Sequence, residues 1–381
     1  MSAQAWWVGI FAACVAGFCG GFHPTPYNNY VLLAQAFLAG HCWITPPNAA
    51  IDALPYQGRV YIIEAPLPAL LLLPAVALFG ASTNQALLGV LFCGVACATF
   101  WSLLEQLAVV LPARIALSCM LLAGTDLLWC ASLGDVWFLA HLASVAMTLL
   151  ALRELVGQRR PGFVAFWGAC AALSRFSTVL ALPVYLAMLL WQAERTERRR
   201  IVVRYLLVVV PFVLAWLGYN LARWGTLGDI GYSAWYHQDS AGSPSGSPFA
   251  LRYLGYELQS FFLAMPGWQP TFPWLTTSIS GLALEITSPA LILAFFARGK
   301  RWLIGGLWLA TLLTAAPSFL YYVDGYAQFG MRHALDFEPY LLVLMGIALR
   351  QTIRPWQWAL CAYSALVGCW GTWYWHWLYP R

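Results

Sequence analysis

The chain has 381 residues, of which 61% are hydrophobic and only 9% charged. Soluble domains carry about 25% charged residues, so a soluble fold is excluded and a polytopic membrane protein is expected. The formal net charge of +5 says less than where the basic residues sit, and long apolar segments without alternation exclude a β-barrel.

Met1 to Gly20 lacks a basic start and reads as a retained first span, not a cleaved signal. Apolar segments long enough to span, at about 20 residues each, are expected at 5–21, 85–104, 113–132, 136–155, 161–176, 178–193, 202–222, 280–297, 302–320, 336–349 and 357–377. Pro66 to Gly80 is apolar but short, and Pro66, Pro68 and Pro74 interrupt it. If it does not cross, 14 of the 20 basic residues fall on one side, in the connections around Arg114, Arg153 to Arg160, Arg195 to Arg204, Arg298 to Arg301 and Arg350 to Arg354. The positive-inside rule makes that side cytoplasmic. Eleven spans follow, with the N-terminus inside, the C-terminus outside, and the connections 21–84 and 223–279 both outside.

The first outer connection is the long polar interruption. It holds seven prolines between Pro24 and Pro68, carboxylates at Asp52 and Glu64, a cation at Arg59, and Tyr56 and Tyr61. Within it, Asn28–Gly40 has helical spacing with Tyr30, Leu33, Phe37 and Leu38 on one face. A helix lying flat on the membrane and a short helix buried under the loop both fit. Pro66–Gly80 reads as a helix in, or dipping into, the outer interface. The connection 223–279 contains the flexible tract Ser240–Pro248 and then MPGWQPTFPW, whose aromatic rings suit the headgroup level. The ten cysteines lie mostly in apolar segments and show no CxxC or Cys/His metal spacing. Cys19 and Cys42 are the pair able to meet outside the bilayer.

Five segments together resemble a known family: YNNYVLLAQAFLAG, DALPYQGRVYIIEAPLPALLLLPAVALFG, LSRFSTVLALP, YNLARWGTLGDIGYS and QFGMRHALDFEPYLLVL, running from residue 27 to about 345. Their combination is similar to the class C glycosyltransferases (GT-C), and more narrowly to the bacterial relatives of the protein mannosyltransferases. The resemblance implies an all-α transmembrane bundle forming one domain over 1–381, with interfacial helices in the first outer loop. It implies an enzyme of the bacterial inner membrane that takes a sugar from a polyprenyl phosphate on the outer face. The sugar passes with inversion to a hydroxyl of a glycan, lipid or protein acceptor. Nucleic acid is not an expected partner.

The family's base is a carboxylate soon after the first span, whereas His23 to Gln35 contains none, only Asn28 and Asn29. Inverting transfer needs one base at the acceptor hydroxyl and donors at the departing phosphate. The candidate bases are therefore Asp52, Glu64 and Asp135, each with a structural alternative: a turn cap, an ion pair with Arg59, and an N-cap. Asp126 reads as a packing residue. Candidate substrate-binding residues are Arg59, Tyr61, His141, Arg175, Arg332, His333 and Asp336. A charge near the hydrocarbon edge is expensive unless paired or used. For Arg332 the structural alternative is an ion pair with Asp336 at a spacing of four. No metal spacing is evident, although scattered outer carboxylates could gather a divalent cation in the fold. A transporter or flippase, or a silent partner subunit, are the competing readings. Transporters show internal repeats and charged midplane helices, while the polar residues here collect at one face.

Overall fold

The computed structural model describes residues 1–45 and 52–378. Its sixteen α-helices run α1 Ala3–Cys19, α2 Asn29–Leu38, α3 Leu67–Phe79, α4 Ala86–Gln106, α5 Leu111–Ala123, α6 Leu127–Leu133, α7 Val136–Val156 and α8 Pro161–Ala172. They continue as α9 Ala181–Gln192, α10 Arg195–Trp224, α11 Gly231–Gln238, α12 Leu254–Leu263, α13 Leu284–Thr287, α14 Arg301–Phe319, α15 Glu338–Ala348 and α16 Pro355–Leu378. All eleven predicted spans are helical. Helices α4, α7, α10 and α14 have by themselves the length and hydropathy of a span, and α5 with α6, bent by 46° at Gly124 to Asp126, makes a fifth. The remaining six coincide with shorter or broken helices, or with α16, whose Trp, Tyr, His and Gln lower its hydropathy. The segment 280–297 departs most: it is α13 followed by a 3-10 turn over Pro289–Phe296.

Helices α4 and α7 form the centre of the bundle, α1 packing on α4 and α8 on α7. The α1–α4 crossing depends on small residues. A Cβ on Gly9 would lie 2.7 Å from both the Gly94 carbonyl oxygen and the Ala98 Cβ. In a membrane, such close backbone approach replaces the hydrophobic drive that lipid cannot supply. Helix α10 is different. Its apolar stretch is almost wholly exposed, with Tyr205, Asn220, Arg223 and Trp224 its buried residues, so it is the bundle's most lipid-facing helix.

The first outer connection is ordered by a β-hairpin that alternation alone did not reveal: β1 Ala53–Tyr56 pairs with β2 Arg59–Ile62, and Ile44 bridges to Val60. The turn residues Gln57 and Gly58 both have positive φ, 47° and 74°, as a two-residue type I′ turn requires. Helix α2 is a buried helix under this loop: Tyr30, Val31, Leu33 and Ala34 are fully buried, whereas Leu38 is exposed. Helix α3 has 13 residues, about 20 Å at 1.5 Å per residue. It packs on α2. Cys19 and Cys42, the pair able to meet outside the bilayer, are both free thiols.

Topology is tested by labelling single added cysteines with an impermeant thiol reagent, read against the parent. Thr83 is buried, so Ala81, exposed beside it, and Gln158, exposed in the α7–α8 connection, are the useful positions. Ala81→Cys is expected to react from outside and Gln158→Cys from inside; reaction of both from one side overturns the assignment.

Candidate active site

The site forms where α7, the turn after α8 and the turn before α15 meet beneath the hairpin. Arg175 lies just beyond α8 and caps a 3-10 turn over Phe176–Leu180; a second 3-10 turn covers Arg332–Asp336. Asp336, 1% exposed, lies at the junction. It accepts from Arg175 Nη2 at 3.1 Å and Nε at 3.3 Å, and from Ser177 Oγ at 2.6 Å, and its other oxygen lies 2.9 Å from His141 Nδ1. A carboxylate only accepts, so Nδ1 of His141 carries a hydrogen and donates it to Asp336. Nε2 has no partner among the described residues.

This arrangement replaces the Arg332–Asp336 pair expected from sequence. The segment is 3-10, not α, and in a 3-10 turn residues i and i+3 eclipse while i+4 points elsewhere. Arg332 instead donates from Nη1 to the Tyr326 carbonyl at 3.1 Å and lies 5.6 Å from the Phe138 ring centroid. Its Nε is buried and without a partner among the described residues. Burial pushes its pKa down to about 10, which leaves it charged at neutral pH. His333 follows, its ring centroid 5.7 Å from that of His141 and its Nδ1 unpartnered among the described residues. Burial and then the Arg175 guanidinium hold it well below the usual histidine range, so it is neutral.

Glu64 faces the same space. It is 7% exposed, and neither carboxylate oxygen has a partner among the described residues. It shares a small cavity with Arg175, Ser174, Asp229 and Tyr232. Burial, and next the Asp52 carboxylate, raise its pKa to about 8. The expected Arg59–Glu64 pair is absent from the described ion pairs. Arg59 sits exposed at the hairpin end, 3.7 Å over the Trp43 ring, because hairpin register sends it away from residue 64.

Asp52 accepts a hydrogen bond from Trp137 Nε1. Burial raises its carboxyl, and the Trp137 bond and the Arg332 charge oppose that. Asp135 is buried at the start of α7 and accepts from Thr25 Oγ1; its side chain makes no N-cap bond. Tyr61 packs at 5.0 Å on the Trp224 ring and belongs to a small apolar cluster, not to the cavity. Asp126 is buried at the α5–α6 bend against Gly330, where a Cβ would come within 2.4 Å of its Oδ1.

Beside Arg175 a larger cleft of about 190 Å³ opens, lined by Ser177, Asp229, Tyr232, Tyr321, Phe249 and His333, with Pro317 and Ser318 of α14 at its edge. Sequence reasoning missed Ser177, Asp229 and Tyr232. All three lie inside segments that carried the family resemblance, which was the available signal. Among the described residues no group of three or more His, Cys, Asp or Glu side chains could hold a metal.

Asp336→Asn keeps the shape but leaves the Arg175 charge without its counter-ion. Removing one partner of a buried pair costs about 3–5 kcal/mol, so a clear drop in the melting temperature of the purified protein is expected. An unchanged melting temperature overturns the assigned pairing.

No family model matches the chain, and no curated protein matches it. Among solved structures the chain is similar to ArnT from Cupriavidus metallidurans, crystallised with undecaprenyl phosphate. The TM-score is 0.54 and the identity 15%, over 97% of this chain and 63% of ArnT. The chain thus spans less than two thirds of ArnT's length, and at this identity the likeness is one of fold. The chain is a polytopic, predominantly helical membrane protein that shares the fold of ArnT.

Proposed function

We propose that the chain is an inverting glycosyltransferase that moves a sugar from a polyprenyl phosphate to an acceptor hydroxyl on the outer face of a bacterial inner membrane. The observation that carries the reading is one cavity in which an unpartnered carboxylate, Glu64, faces a guanidinium, Arg175. The likeness to ArnT, whose crystals hold undecaprenyl phosphate, supports a lipid-phosphate donor.

In the proposed reaction the acceptor hydroxyl gives its proton to Glu64 as its oxygen bonds to the sugar's anomeric carbon. The carbon–oxygen bond to the lipid phosphate breaks with its electrons, and the phosphate leaves as an anion. The sugar passes through oxocarbenium character. Arg175 meets the phosphate with Nη1, which Asp336 does not engage, and Arg332 is the second cation. Guanidinium forks suit phosphate better than point charges do. Neutral His333 leaves the cationic role to the arginines. Asp52, held by Trp137, orients the acceptor, and the hairpin keeps water from the sugar centre. Of the three carboxylates suggested by sequence, Glu64 is therefore our base, with Asp52 second and Asp135 tied to Thr25.

A base pKa close to the working pH is efficient. The base acts when deprotonated, so turnover should rise with pH through about 8, the value burial gives Glu64, and then level. With purified lipid-linked sugar, Glu64→Gln should bind donor normally and lose about 10²–10⁴ in turnover, taking the rising limb with it. Turnover within a few-fold of the parent in Glu64→Gln, Asp52→Asn and Asp135→Asn alike ends the reading. Arg332→Ala should weaken donor binding, and Arg332→Lys should restore it in part because it lacks the bidentate fork. Unchanged donor affinity in the alanine variant removes Arg332 from the phosphate site.

A further inference from the structure

The geometry points to a calcium-type cation site, apart from the cavity above, formed by Glu257 and Asp324 with the Ser260 hydroxyl between them. Glu257 and Ser260 stand one turn apart on the same face of α12. Ser260 Oγ donates to Asp324 Oδ2 at 2.7 Å, which brings the Asp324 carboxylate onto that face. Glu257 is fully buried, and neither of its oxygens has a partner among the described residues. Asp324 is 2% exposed. No ion pair among the described residues reaches either carboxylate.

A second, independent observation points the same way. Gln328 is fully buried and donates from Nε2 to the Asp324 carbonyl at 2.9 Å, yet its Oε1 has no donor among the described residues. The backbone gives way to this oxygen: Gly325 has φ of 123°, and a Cβ there would come within 2.6 Å of Oε1. Beside the acidic pair the fold thus buries a third oxygen acceptor with nothing to accept.

A buried carboxylate without donors is costly, and a pair of them repels. Two resolutions exist: a proton on Glu257 or a cation between the pair. Burial and the neighbouring Asp324 push Glu257 up to about 8, so at neutral pH a proton occupies the empty site and a bound cation displaces it. The extra buried acceptor favours the cation, since a proton needs one acceptor and a cation gathers several. Two carboxylates, a hydroxyl and an amide oxygen are hard ligands, and their irregular placement suits calcium better than octahedral magnesium or nitrogen- and sulfur-seeking zinc. Asp324 and Gln328 lie on the segment that ends at Arg332, and Arg332 itself holds the Tyr326 carbonyl. An ion here would fasten that segment and so set the position of Arg332. Its role would be positional, distant from the reacting atoms.

The test uses the full chain purified in detergent and stripped with a chelator, titrated with calcium alone by calorimetry and by thermal unfolding. One ion per chain is expected, with a dissociation constant of about 10⁻⁴–10⁻³ M, the range of extracellular calcium modules, and a rise in melting temperature. Glu257→Gln should lose the calcium response at least tenfold in affinity. Should that variant not fold, Ser260→Ala, which keeps both charges, should weaken binding several-fold. Absence of calcium binding by the parent overturns the site in favour of a protonated Glu257. Equal binding by parent and variants overturns it as well. Neither readout depends on transferase activity, so this proposal and the functional one fail separately.

Discussion

The buried carboxylate of Asp336 is the interaction on which the site depends. It joins three separate parts of the chain: His141 on α7, Arg175 and Ser177 after α8, and its own turn before α15. None of these groups could be buried alone. An isolated guanidinium or carboxylate in apolar surroundings would neutralise or draw in water. Four mutually satisfied groups fix the relative height and rotation of the elements that carry them. They engage Nε and Nη2 of Arg175 and leave the Nη1 edge of its fork facing the cavity.

Around this satisfied knot lie groups that are not satisfied. Glu64, His141 Nε2, His333 Nδ1 and Arg332 Nε are all buried without a partner among the described residues. Buried polar groups normally find partners, so their concentration in one region is the physical signature of a place arranged for something else to bind. The α1–α4 crossing, by contrast, is closed by the small residues Gly9, Gly94 and Ala98. In the function proposed above, the bundle centre is scaffold and the face under the hairpin carries the chemistry.

The hairpin explains how a polar loop can stay ordered at a membrane face. Its Gln57-Gly58 turn fixes the register, Tyr61 and Leu54 bury against Trp224, and the Arg59 guanidinium stacks on Trp43. Trp224 ends α10, the most lipid-exposed helix, and Arg223 beside it donates to the Ile62 carbonyl. The loop is thus pinned to the end of a span, and Asp52 and Glu64, at the two ends of the hairpin, are held toward α7 and Arg175.

Composition and hydropathy by themselves determined the class of the molecule: so few charges over so long a chain require a bilayer, and every predicted span is helical because in hydrocarbon the backbone must satisfy itself within the segment. That Pro66–Gly80 forms only a short helix was legible too, from length and proline. The segments that carried the resemblance hold several polar residues that do converge, Glu64, Arg175, His333 and Asp336 among them, and His141 joins them from α7. What sequence could not decide was pairing. Spacing of four suggested Arg332 with Asp336, and proximity suggested Arg59 with Glu64. The local backbone, 3-10 in one case and a hairpin in the other, turned those side chains apart, and Asp336 met Arg175, some 160 residues away in the chain. Such partners are chosen by where three helices end in space, a quantity that local periodicity does not contain. The same holds for Ser177, Asp229 and the Glu257–Asp324 pair: each is an ordinary polar residue in the sequence, and burial beside specific neighbours is what gives it chemical meaning.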